Sequence, residues 1–145
     1  MEPIRVKILR EGAHLPTYGS LEAAGADLYA CLEEPVVIAP GKTAFIPTGI
    51  SLEVPKGCAG LIYARSGLAC KRGLAPANKV GVIDSDYRGE FIVALHNHGL
   101  EPQTVANGER IAQLIITPVL TPAYEETADL STTDRGVGGF GSTGK

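Results

Sequence analysis

At 145 residues the chain has the length of one domain of ordinary size, enough to bury an apolar core without a disulfide or a metal. Its net charge of −3, pI near 5.6 and lack of any long basic run argue against extended contact with a nucleic-acid backbone, so any phosphate is handled locally. The cysteines Cys31, Cys58 and Cys70 are odd in number and lack C-x-x-C spacing, which points to buried reduced thiols rather than a disulfide framework or a zinc site.

Met1 to Lys7 contains no signal-peptide apolar core, and no run in the chain is long enough to span a bilayer; the expected setting is soluble and cytoplasmic, away from membranes. Turn signals then recur at short intervals, among them Pro40-Gly41, Pro55-Lys56-Gly57, Gly73, Gly81, Gly89, His98-Gly99 and Asn107-Gly108. The runs between them, Val36–Ile38, Ala44–Ile46, Ile50–Val54, Ala59–Tyr63, Val80–Ile83, Phe91–His96 and Ile111–Thr117, are of strand length and several are β-branched or aromatic-rich. That pattern predicts an all-β sandwich or barrel. Only Ser66–Arg72, closed by Gly73 as a C′ residue, reads as a helix. With no repeat or internal boundary, residues 1–122 form the expected β-sandwich core. Residues 123–145 form an arm, polar and acidic as far as Arg135 and glycine-dense beyond it.

Candidate chemistry follows the same order. Gly25-Ala26-Asp27-Leu28 sets a carboxylate among small and apolar residues, suited either to a metal-bound water or to a structural hydrogen bond. Ala64-Arg65-Ser66-Gly67 brings a guanidinium, a hydroxyl and a flexible backbone to a helix start, a seat for phosphate. Asn78 to Glu90 is a hairpin candidate in which Asp84 is either a solvated turn residue or a general base that orients a water. A carboxylate of ordinary pKa, about 4, is a weak base at neutral pH, so positioning must supply much of the catalysis. Gly108 to Leu114 is a turn feeding a strand, with Arg110 and Gln113 as its polar members. His14, His96 and His98 do not make a convincing ligand set. The tail from Arg135 to Lys145 is either a disordered terminus or a lid, with Arg135, Ser142 and Thr143 for phosphate and Phe140 for a base. Gly139 to Lys145 spells the start of a P-loop, but no Ser or Thr and no helix follow it.

Ala24 to Leu28, Arg65 to Gly67, Gly81 to Gly89, Gly108 to Gln113 and Arg135 to Gly144 resemble, in content and order, the five motifs of the trimeric deoxyuridine triphosphatases (dUTPases). The third and fifth are the most specific, and Ala64 stands where that family often has proline. The resemblance implies a jelly-roll-like β-sandwich, a homotrimer with active sites shared between subunits, and a C-terminal arm that covers them. It implies Mg²⁺-dependent hydrolysis of dUTP to dUMP and pyrophosphate by water attack at the α-phosphorus, which keeps uracil out of DNA and supplies dUMP for thymidylate synthesis. Asp84 would activate the water, and Asp27 would reach the metal only through water. Arg65, Ser66, Gly67 and Gln113 would hold phosphates. Asn78 with the Gly81, Val82 and Ile83 backbone would match uracil, and Tyr87 would lie under the deoxyribose. Phe140 would stack on the base, with Arg135, Gly141, Ser142 and Thr143 at the phosphates. The rivals are a deoxycytidine triphosphate deaminase of the same fold, a nucleotide-gated regulatory protein and a purely structural sandwich.

Overall fold

The computed structural model describes residues 3–140. In chain order the elements are β1 (Val6–Ile8), β2 (Thr17–Tyr18), β3 (Ala26–Tyr29), β4 (Val36–Ile38), β5 (Thr43–Pro47), β6 (Ile50–Leu52) and β7 (Cys58–Tyr63). There follow α1 (Ser66–Arg72), β8 (Leu74–Pro76), β9 (Gly81–Ile83), β10 (Ile92–Asn97), β11 (Gln103–Val105) and β12 (Arg110–Pro118). The strands pair antiparallel in a five-stranded sheet of order β2-β3-β12-β7-β9, a three-stranded sheet β5-β10-β8 and the pairs β1-β6 and β4-β11. This is the jelly-roll-like β-sandwich expected from the sequence. Among the described residues no helix is long and apolar enough to cross a membrane.

Alternation builds the interior. Along β10, Val93, Leu95 and Asn97 are buried while Ile92, Ala94 and His96 turn outward, the period of two that a half-buried strand requires. Leu28, Ile38, Ile46, Leu74, Phe91, Leu95 and Ile111 meet in a single apolar cluster. Asn97 sits fully buried among them because all its polar atoms are used: Nδ2 donates to Ile38 O at 2.9 Å and Glu101 O at 2.8 Å, and Oδ1 accepts Gly99 N–H at 2.9 Å. Asn97→Ala strands two carbonyls and one amide. The expected loss is roughly 2–4 kcal/mol in urea unfolding, given ~1–3 kcal/mol for each stranded group with partial relaxation. A loss below 1 kcal/mol would mean that water replaces the amide.

Ile50–Val54 shortens to Ile50–Leu52 because its partner β1 has only three residues. Five strands escape the sequence reading, β1, β2, β3, β8 and β11, each four residues or fewer and defined by distant partners rather than by their own periodicity. The cysteines correct another expectation. All three are free, but only Cys31 is buried; Cys58 is half-buried and Cys70, in α1, is exposed. The histidines divide, His14 packing on Tyr29 at 5.1 Å while His96 and His98 meet edge to face at 4.5 Å. Partial desolvation, the Lys79 cation and neighbouring His96 lower the pKa of His98 below 6.5, which favours its neutral ring at pH 7.

Candidate active site

β12 pairs with β3 on one side and β7 on the other, with Gln113 opposite both Asp27 and Tyr63. The register slips between Arg110 and Ala112: Arg110 faces Tyr29, and Ala112 faces the adjacent Leu28. One extra residue, Ile111, is thereby accommodated, and Ile111 and Ala112 are both buried. The bulge changes the side-chain phase and brings Arg110 to the sheet face that carries Asp27 and Gln113.

Asp27 is the hinge of the resulting cluster. Its Oδ1 accepts Arg65 Nε–H at 2.7 Å and its Oδ2 accepts Arg110 Nη1–H at 3.2 Å, with the carboxylate 13% exposed. Two guanidiniums against one carboxylate leave the cluster cationic, and the shared acid fixes both planes without neutralising both charges. Arg65 is the N-cap of α1, in extended conformation with φ −87° and ψ 130°, and no side chain caps the helix. The first amides of Ser66 and Gly67 thus stay open at a helix start. Gln113 Nε2 donates to Ala64 O at 2.8 Å, tying β12 to the residue before Arg65. Gln113 also dictates Gly25, since a Cβ there would stand 2.5 Å from Gln113 Oε1. Together Gly19, Ala23, Gly25, Asp27, Arg65, Ser66, Gly67, Arg110 and Gln113 line an open cavity of about 280 Å³.

A second cavity, about 360 Å³, is lined by Asn78, Gly81, Val82 and Ile83 with Phe45, Ile62, Pro76, Ile92, Val93 and Ala94. Among the described residues β9 pairs only with β7, and its outer backbone edge has no strand partner there. The run Val80–Ile83 is less buried than its apolar sequence predicts, with Val82 64% exposed on this edge. Asn78 lies in the turn before β9, where Lys79 adopts a left-handed φ of 66°.

Asp84 and Tyr87 follow β9 in a turn closed by Tyr87 N–H to Asp84 O at 3.2 Å, and neither lines either cavity. Asp84 is exposed, and among the described residues its carboxylate has no hydrogen-bond partner. Tyr87 Oη donates to Glu90 O at 3.0 Å, and its ring lies over Gly89 so closely that a Cβ there would collide with the hydroxyl. Arg88 Nη1 bonds Ser85 O and Tyr87 O at 2.9 Å each, and Ser51 Oγ holds Arg88 O at 2.8 Å. Glu90 accepts Gly49 N–H at 2.8 Å and Arg10 Nη2–H at 2.7 Å. The turn is therefore anchored from beneath by β6 and its preceding loop.

The arm leaves the sandwich after Val119 N–H bonds Gly57 O at 3.0 Å. Arg135 Nε turns back on Gly138 O at 2.8 Å, and Phe140 is wholly exposed with φ 50°. Gly141, Ser142 and Thr143 lie outside the described residues. Of the expected site residues, the chain thus gathers Asp27, Arg65, Ser66, Gly67 and Gln113 in one cavity and Asn78, Gly81, Val82 and Ile83 in another. Gly19, Ala23, Gly25 and Arg110 complete the first cavity; the sequence marked Gly25 and Arg110 only as neighbours of Asp27 and Gln113, without a site role.

A jelly-roll-like sandwich that carries a polar, arginine-lined cavity and a separate, largely apolar one has the frame of a β protein that binds small ligands. A profile of the dUTPase family matches residues 11–144, and the chain belongs to that family. It is 49% identical over 148 residues to the deoxyuridine 5'-triphosphate nucleotidohydrolase of an Anaeromyxobacter species, covering 99% of each chain. It is also 49% identical over 141 residues to the protein of that name from Syntrophotalea carbinolica, covering 97% and 96%. Among solved structures, the Staphylococcus bacteriophage 80alpha dUTPase with dUPNHPP superposes with a TM-score of 0.91 at 29% identity over the full length of both chains.

Proposed function

We propose that this chain hydrolyses dUTP to dUMP and pyrophosphate, with water attacking the α-phosphorus, in the cytoplasm. The observation that carries the reading is the Asp27 clamp: one acid orients Arg65 and Arg110 toward a cavity that also holds Gln113 and the open start of α1. Those groups suit a triphosphate, offering fixed donors that require little reorganisation as charge builds on the leaving pyrophosphate.

The unpaired edge of β9, with Asn78 beside it, offers donors and acceptors for uracil. Cytosine presents the opposite pattern and strands buried polar groups at ~1–3 kcal/mol each. In this reading the Gly81 backbone turns away a thymine methyl, and the Tyr87 ring, set under a deoxyribose, turns away a 2′-hydroxyl. Asp84, at the end of β9 and exposed, takes the proton of the attacking water. From residue 123 the chain serves as a lid in which Phe140 stacks on the base, and Arg135, Gly141, Ser142 and Thr143 reach the phosphates.

Mg²⁺ fits this donor set through the substrate. Both Asp27 oxygens are engaged by guanidiniums, yet each keeps a lone pair for a water, so Asp27 suits an outer contact and not direct ligation. Bound with the substrate, the ion would be held by Asp27 only through water and would offset negative charge developing on the leaving group. The chain works as a homotrimer with shared sites. In support, the two cavities have no lining residue in common, and Asp84 belongs to neither. Light scattering should read the mass of three chains, whereas a monomer that turns over dUTP contradicts sharing. Three free cysteines suit a reducing compartment.

Hydrolysis in ¹⁸O-water tests the chemistry. The label is expected in dUMP; label in pyrophosphate would place the attack on the β-phosphorus and overturn the assignment.

A further inference from the structure

We propose that Arg72, at the end of α1 remote from the phosphate cavity, is a positioning residue that sets the pose of that cavity through Glu109. This rests on the reading of the cavity as the triphosphate seat.

α1 has seven residues and buries only Leu68. A helix so short is not stable by its own hydrogen bonds, so its orientation depends on what grips its ends. At its start, Arg65 is held by Asp27. At its end, Arg72 spreads its guanidinium over three acceptors on one segment: Nε donates to Gln103 Oε1 at 3.0 Å, Nη1 to the Glu109 carboxylate and Nη2 to Thr104 O. The backbone after it adds one more tie, His98 N–H to Gly73 O at 2.8 Å.

Glu109 is built to receive this grip. Its Oε2 accepts Ala106 N–H at 3.1 Å, and its backbone oxygen accepts Ala30 N–H at 2.8 Å at the end of β3. The next residue is Arg110, whose guanidinium returns to Asp27. The links close a ring: Asp27, Arg65, the length of α1, Arg72, Glu109, Arg110 and Asp27 again. Loosening the ring at Arg72 frees α1 and the 103–109 segment to shift, and both shifts move guanidiniums that face the phosphates. The Arg72–Glu109 pair is partly shielded, with side chains 31% and 26% exposed, so solvent does not simply replace it. The base cavity shares none of these residues.

The ring therefore affects one end of the substrate. With Mg²⁺ present throughout, Arg72→Ala and the shape-preserving Glu109→Gln are expected to raise the KM for dUTP and the inhibition constant of pyrophosphate roughly tenfold, short of the ~10²-fold that a 1 Å misplacement can cost. Binding of deoxyuridine is expected to stay within twofold of wild type. Arg72→Lys should recover only part of the loss, because one ammonium cannot hold three acceptors in a plane. Equal weakening of pyrophosphate and deoxyuridine would show a general loosening, and unchanged pyrophosphate binding would show an ordinary surface pair; either overturns the proposal. Failure of the dUTP reading itself appears separately, as a wild-type protein that binds pyrophosphate without turning over dUTP.

Discussion

Substitution of Asp84 by asparagine is expected to lower kcat for dUTP by about 10²- to 10⁴-fold, the range that a positioned general base contributes. Asparagine keeps the shape and tolerates the turn, which Asp84 closes through its backbone oxygen and not through its carboxylate. The side chain is exposed, so urea unfolding should change by less than about 0.5 kcal/mol, as for most surface substitutions. Affinity for a nonhydrolysable dUTP analogue should also hold. Single-turnover kinetics with unchanged rate would remove Asp84 from the chemistry. A parallel fall in stability would mean that the turn, and not the base, had been damaged.

Ending the chain at Asp134 is expected to reduce kcat/KM for dUTP by about 10²-fold or more, the scale on which misplacement of a bound substrate operates, while leaving the fold intact. The described part of the arm contributes no buried residue to the core, whose last buried member is Leu114. The melting temperature should therefore move little. Catalysis suffers because Arg135 and Phe140, together with Gly141 to Thr143 beyond the described residues, supply the closing contacts in this account. An unfolded product would make the arm a structural element, and full activity would make it dispensable. Replacing Phe140 by tryptophan in the full chain, which has no native tryptophan, adds a check: its emission should respond to a nonhydrolysable analogue with Mg²⁺.

Much of the architecture was legible because apolar runs of strand length alternate with turn residues. Phe91–His96 became β10, Ala59–Tyr63 became β7, and the Ser66–Arg72 helix ends at Gly73 as its left-handed cap demanded. β3 was not legible. Ala-Asp-Leu-Tyr lacks the β-branched residues of a central strand and carries a charge, and only the pairing of Asp27 with two arginines lets that sequence lie buried. Arg110 was read beside Gln113 as a polar member of one strand, but its place on the same face was not legible, for a related reason. Residues three apart on a regular strand point to opposite faces, and the bulge at Ile111 that aligns them has no signature in the side chains. Arg72 and Glu109 are 37 positions apart and read singly as surface charges. The motifs marked where chemistry lies; the ties among them are properties of the folded chain.

Selective hydrolysis of dUTP is best tested by pyrophosphate release from dUTP, dTTP, dCTP and UTP, each with Mg²⁺ and with EDTA. Metal-dependent release is expected from dUTP, with the other three far slower. Comparable release from dTTP or UTP would contradict the roles given to Gly81 and Tyr87. Release from none of the four, or ammonia from dCTP in its place, would contradict the function itself.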